Sequence, residues 1–119
     1  MNTSYRRGDV FLVNFGHPFG SEQGGTRPAV IIQNDVGNYY SPTLIVVPLT
    51  TSQKNSGLPT HVHFLFNGIQ NIALCEQIRT IDKKRIIHRM GETQVFLGTI
   101  STTVMDEIDR SIKVSISLK

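Results

Sequence analysis

Short apolar runs broken by turn residues fill the chain up to about residue 90, and a four-residue apolar repeat fills its last quarter. Runs of four to eight apolar residues bounded by Gly, Pro, Asn and Ser predict strands. Val10 to Phe15 (VFLVNF), apolar on both faces, Ala29 to Ile32 (AVII) and Leu44 to Leu49 (LIVVPL) are the first three. Proline donates no ladder bond, so Pro48 predicts a sheet edge or a bulge near the end of the third. Thr60 to Phe66 alternates so that Val62, Phe64 and Phe66 share one face, and Asn67-Gly68 supplies the positive φ angles of a tight hairpin turn. Ile72 to Ile81 returns as the next strand, and Arg85 to Met90 is the sixth.

In the last quarter Ile100, Val104, Ile108, Ile112 and Ile116 recur every fourth residue, which predicts one apolar stripe on a helix over about 102 to 117. Ser101 or Thr102 caps it, and Asp106 and Glu107 lie in its early turns, where the helix dipole favours negative charge. The stripe covers one mouth or face of a small β barrel or sandwich, with a dimer interface as its rival use. The fold class is mainly β with a C-terminal helix (α+β).

The 119 residues suffice for one domain, residues 1–119, which buries roughly two-thirds of the surface of the unfolded chain. Lys and Arg outnumber Asp and Glu by 12 to 9. Arg79 to Arg89 concentrates Arg79, Lys83, Lys84, Arg85 and Arg89 against Asp82 alone, a segment that suits either a polyanion or a solvated strand edge. Cys75 is the single cysteine, which excludes an intramolecular disulfide. No leader pattern opens the chain, and no apolar run approaches the roughly 18 residues of a membrane span, so a cytoplasmic, soluble protein is expected.

Candidate chemistry concentrates in Gly20 to Arg27 (GSEQGGTR), which packs three glycines, a carboxylate, an amide and one arginine into eight residues. A nucleotide-binding loop is excluded. The P-loop pattern requires Lys then Ser or Thr followed by a helix, whereas Thr26-Arg27-Pro28 leads into a strand, and the GxGxxG spacing is absent. What remains is a flexible loop ending in a cation held by Pro28, which biases Arg27 toward extended backbone. A guanidinium matches two phosphate oxygens at once and stays charged at every physiological pH. Thr50, Thr51 and Ser52 follow the third strand. If the second and third strands are antiparallel neighbours, Arg27 and Thr50 share one end of the sheet; otherwise the hydroxyls only begin a polar turn.

Taken together, RRGDVFLV, GSEQGGTRP, VIIQND, VPLTT, LPTHV and CEQIRTIDK resemble the MazF/PemK toxins, the RNA-cleaving halves of bacterial toxin–antitoxin pairs, almost continuously from Arg6 to Arg85. The resemblance implies an SH3-like barrel of the CcdB/MazF type, a homodimer, and sequence-specific endoribonuclease activity on single-stranded mRNA with no metal or other cofactor. It carries catalysis to Arg27 and Thr50. It places Ser21, Glu22 and Gln23 on a loop closing over the RNA and Glu76 and Gln77 among the residues that touch it; Phe19 is positioned to stack on a base. A MazE-like antitoxin with an acidic, disordered tail is the implied partner, and a short U- and A-containing pentamer the implied target. The implied reaction is attack by the ribose 2′-OH, giving a 2′,3′-cyclic phosphate and a 5′-OH. Arginine is a poor general base at neutral pH, and Glu22 is the alternative.

Other readings remain open at this level. A gyrase inhibitor of the CcdB type shares the expected fold, although the tryptophan such proteins use near the C-terminus has no counterpart in SISLK. An RNA-binding barrel without catalysis needs only the basic segment. His61 and His63 have a spacing compatible with two metal ligands but lack an evident third. His17 and His88 read as surface residues, Cys75 as a buried strand residue, and Arg7-Gly8-Asp9 as the opening of the first strand.

Overall fold

A computed structural model of the chain describes residues 4–52, 57–88 and 95–119. Its elements run β1 (Asp9–Asn14), β2 (Thr26–Ile31), α1 (Asp35–Tyr40), β3 (Thr43–Thr50), β4 (His61–Phe66), β5 (Ile69–Leu74), β6 (Arg79–Asp82), β7 (Phe96–Thr99) and α2 (Thr102–Ser115). The strands form one curved antiparallel sheet in the order β4-β5-β3-β2-β1-β7, with β6 also pairing β3. This is a small, mostly β half-barrel with a C-terminal helix. No helix among the described residues is long and apolar enough to cross a membrane.

The sheet is buried on both faces, as the unbroken apolar runs of β1 and β3 require. On one face Val10, Val30, Val47 and Leu49 meet Val62, Phe64, Ala73 and the Met105 and Ile108 side chains of α2. On the other, Phe11, Val13, Ala29, Ile31, Leu44 and Val46 are closed over by Tyr5, Ile81 and Ile86. Ser101 caps α2 through its Oγ, which accepts from the Val104 N–H at 3.3 Å. The four-residue repeat drifts off the buried face as the helix turns, so Ile108 is fully buried whereas Ile116 is exposed.

Two expected elements change, and α1 and β7 are additions. The run 72–81 is two strands separated by a 3₁₀ turn at Cys75–Gln77. Leu49 faces Ala73 and Val46 faces Arg79, so three steps along β3 are matched by six along the opposing chain, and three residues are extruded from the ladder. Cys75 goes inward, where burial, reinforced by the Glu76 and Asp109 charges, pushes its thiol up to about 12; it is inert at neutral pH. Pro48 lies where this ladder is interrupted, in the interior of a central strand and not at an edge. The expected strand from Arg85 begins instead inside a second 3₁₀ turn, Lys83–Arg85, capped by the Asp82 carboxylate accepting from the Lys84 N–H at 2.8 Å. Ile86 then bridges Val13, and Arg89 and Met90 lie outside the described residues.

Of the additions, α1 has six residues, too short to show a period. Asn34 caps it, accepting from the Gly37 N–H at 2.8 Å. Arg7 ties it to the rest: its N–H donates to Asp35 at 2.7 Å, its Nε to the Ile32 carbonyl at 3.0 Å, and its Nη2 pairs with Asp109 of α2. The Arg7 N–H, then the Asn38 amide, hold the Asp35 carboxyl below its ordinary range. A depressed carboxyl stabilises the fold above its unfolded pKa, so this brace is complete at neutral pH and is lost only as pH falls through the depressed value. Arg7-Gly8-Asp9 is thus an internal clamp.

The burial contrast along α2 sets a stability test. Ile108→Ala removes a fully buried side chain and is expected to cost about 2–5 kcal/mol in denaturant unfolding, whereas Ile116→Ala, at 56% exposure, stays within about 0.5 kcal/mol.

Candidate functional site

The register of β2 on β3 builds the site. Ala29 faces Pro48, Val30 faces Val47 and Ile31 faces Val46, and the same register continued by two residues sets Arg27 opposite Thr50. Alternation along the strands puts Arg27 on the face of Ala29 and Ile31, and Thr50 on the face of Leu44 and Val46, the side of the sheet away from α2. Arg27 and Thr50 therefore lie on one face at one end of the sheet. Arg27 donates through Nε to the Gly24 carbonyl at 2.8 Å, which leaves its two Nη groups with no acceptor among the described residues. Thr50 is buried, and its Oγ1 accepts from the Ser52 N–H at 3.1 Å. That bond fixes the oxygen and leaves its proton to donate.

The glycine-rich loop is tied at its base, where the Phe15 N–H donates to the Gly25 carbonyl at 2.9 Å and the Gly25 N–H to the Gly16 carbonyl at 2.7 Å. Gly25 holds a positive φ of 75°. At Gly24 any side chain would strike Pro18, because a Cβ would lie 2.5 Å from its ring, so the loop closes only with glycine there. Phe19 projects from the tip at 83% exposure, and Ser21 and Glu22 are also exposed. The Glu22 N–H donates back to the Phe19 carbonyl at 3.1 Å, tightening the tip.

The extruded turn meets this loop. Gln77 accepts from the Gln23 N–H at 2.8 Å and donates to the Ser21 carbonyl at 3.5 Å, so its amide clips the loop to the sheet. The Oε1 of Gln23 is buried with no hydrogen-bond partner among the described residues. Glu76 accepts from Thr60 Oγ1 and from His61 Nε2, each at 3.0 Å. The structure thus joins Ser21, Gln23 and Gln77 directly, carries Glu76 on the same turn as Gln77, and leaves Arg27 and Thr50 at the same end of the paired strands β2 and β3.

The charge run from Arg79 is less free than its composition implies. The Arg79 guanidinium lies over the Phe15 ring at 5.1 Å, Lys83 donates to the Asn38 carbonyl at 2.7 Å, and Arg85 donates to the Asn14 carbonyl at 3.2 Å. Arg79 and Arg85 therefore flank the end of β1 that leads into the loop. Nothing in local sequence distinguishes them from solvated charges; only the return of β6 onto β3 brings them there. His61 is committed to Glu76, and no three His, Cys, Asp or Glu side chains among the described residues group as metal ligands.

Comparison with known proteins places this geometry. Residues 6–116 match the family described as PemK-like, MazF-like toxin of type II toxin–antitoxin systems. The chain is 43% identical over 117 residues to the endoribonuclease MazF of Staphylococcus epidermidis, covering 95% of this chain and 92% of that protein. Its fold is similar to crystalline MazF from Deinococcus radiodurans (TM-score 0.79, 21% identity, covering 98% of this chain and 99% of that one). It is similar also to a mycobacterial endoribonuclease solved with its cognate antitoxin (TM-score 0.74, 22% identity, covering 100% and 98%). With a match spanning nearly every element from the Arg7 clamp to α2, the chain belongs to the PemK-like, MazF-like toxins of type II toxin–antitoxin systems.

Proposed function

We propose that this toxin is an endoribonuclease that cuts single-stranded mRNA at a specific sequence, with Arg27 and Thr50 acting on the scissile phosphate. The observation that supports the reading is the β2–β3 register, which, continued by two residues, would put a guanidinium with two uncommitted Nη groups across from a buried hydroxyl. In the proposed reaction the 2′-oxygen upstream of the scissile bond attacks phosphorus and the bond to the 5′-oxygen breaks. A 2′,3′-cyclic phosphate and a 5′-OH result, with one proton removed from the nucleophile and one delivered to the leaving oxygen. RNA brings its own nucleophile, so the protein supplies position and charge, and a metal ion is not required. Arg27 neutralises the phosphorane while Thr50 donates to a non-bridging oxygen. Glu22, the carboxylate of the loop, takes the 2′-OH proton, a role for which a permanently charged arginine is poorly suited.

Sequence is read on unpaired bases, whose edges are open to side chains. Phe19, exposed at the loop tip, stacks on a base. Ser21, Glu22 and Gln23 approach from the loop and Glu76 and Gln77 from the turn. Because Gln77 holds the loop in the unliganded protein, RNA binding exchanges those amide bonds for bonds to a base. The working unit is a cytoplasmic homodimer. Its partner is a MazE-like antitoxin, which the antitoxin-bound relatives support; in this reading an acidic tail of the antitoxin folds across the RNA groove.

The direct test is to incubate metal-free protein with a long RNA in EDTA and map the ends. Cuts at one motif, with 5′-OH termini, are expected; binding without cutting, or inhibition of gyrase, would replace the reading. Arg27→Ala and Thr50→Val are each expected to lower the single-turnover rate about 100- to 1000-fold with unchanged melting, and full rate in either variant contradicts its role. A 2′-deoxy substitution at the cleavage position should abolish cutting. Glu22→Gln is expected to slow the chemical step about 100-fold or more, and an unchanged rate removes Glu22 as the base.

A further inference from the structure

His61 is a histidine that neither a metal nor the proposed chemistry uses. Its side chain is 4% exposed, and its backbone is fixed by pairing with Leu74 and by an N–H bond to the Leu58 carbonyl at 3.0 Å. Its Nε2 lies 3.0 Å from Glu76 Oε2, while its Nδ1 is buried with no partner among the described residues. Thr60 Oγ1 donates to the other carboxylate oxygen, also at 3.0 Å. Glu76 is one-third exposed, so the carboxylate is held by two donors while its side chain still reaches solvent.

We propose that His61 is a positioning residue that aims Glu76 as an acceptor-only reader of the RNA, selecting at that subsite a base with an amino group at purine C6 or pyrimidine C4. The inference rests on the endoribonuclease reading above. A carboxylate oxygen only accepts, so the hydrogen-bond geometry assigns a proton to Nε2. With one donor on each oxygen, rotation of the Glu76 carboxylate is restrained, and each oxygen keeps a lone pair for a further donor. At the C6 position of a purine or the C4 position of a pyrimidine, a fixed acceptor pairs with the amino group of adenine or cytosine and meets an uncompensated carbonyl in guanine or uracil. The extrusion of Cys75–Gln77 from the ladder supplies the placement, since it is this turn that lifts Glu76 toward His61 and Gln77 toward the loop.

The test compares cleavage rates at every site of one long RNA for the full-length wild type, His61→Ala, His61→Gln, Glu76→Ala and the His61→Ala/Glu76→Ala double variant. Both alanine variants are expected to lose about tenfold of the discrimination at the same single motif position, with the double variant no worse than Glu76→Ala alone. His61→Gln, whose amide N–H reaches the place of Nε2, is expected to recover much of that loss. Thr60→Val, which removes the other donor without touching the buried ring, should loosen the same position even if His61→Ala fails to fold. An unchanged motif in His61→Ala or, where that variant does not fold, in Thr60→Val overturns the proposal. So does a loss that adds to that of Glu76→Ala evenly across all sites. A wild type that makes no cuts overturns the parent reading, and this one with it.

Discussion

Ala29 facing Pro48 across two central strands is the constraint on which the site depends. A slip of one residue in that pairing would turn every side chain of one strand to the opposite face and break both core layers, so the register is held by the whole buried sheet. Arg27 and Thr50 inherit this rigidity although they lie at the strand ends. Pro28 adds to it by fixing its own φ and by restricting Arg27 to extended backbone. The consequence is a cation and a hydroxyl whose backbone positions are set before any ligand arrives, which is what electrostatic stabilisation of a transition state requires.

Recognition is built differently. The glycine-rich loop is an exposed segment tied at its base by backbone bonds and at its flank by the Gln77 amide. The turn that carries Gln77 exists because three residues are expelled from an otherwise continuous ladder, a device that re-aims side chains next to a site without disturbing the strands on either side. Two rigidly held strand positions and an exposed loop clipped by one amide thus share one end of the sheet.

Much of this was legible in the chain itself. Continuous apolar runs marked β1 and β3, alternation marked β4, Asn67-Gly68 marked the hairpin between β4 and β5, and the four-residue repeat marked α2. The glycines, Arg27-Pro28 and Thr50 marked the candidate site before any coordinates. What escaped has a common cause: it depends on contacts distant in sequence. The break at Cys75–Gln77 carries no Gly or Pro and reads as an uninterrupted strand, since only the competing demands of β5 and β6 on β3 force it. Helix α1 is a single capped turn and a half, β7 is a four-residue edge strand containing Gly98, and the link from His61 to Glu76 spans fifteen residues closed by a hairpin. Arg79 and Arg85 suited either a polyanion or a solvated strand edge in the sequence, which does not show that the Phe15 ring and the Asn14 carbonyl hold them.

The central claim is that one guanidinium and one hydroxyl meet at a single phosphate, and a crystal structure of the protein with an uncleavable RNA bearing a 2′-deoxy sugar at the cleavage position tests it most directly. The account predicts Arg27 Nη groups and Thr50 Oγ1 within about 3 Å of non-bridging oxygens of the same phosphate. A scissile phosphate held elsewhere, for instance along Arg79 and Arg85 with Arg27 and Thr50 both out of reach, would contradict it.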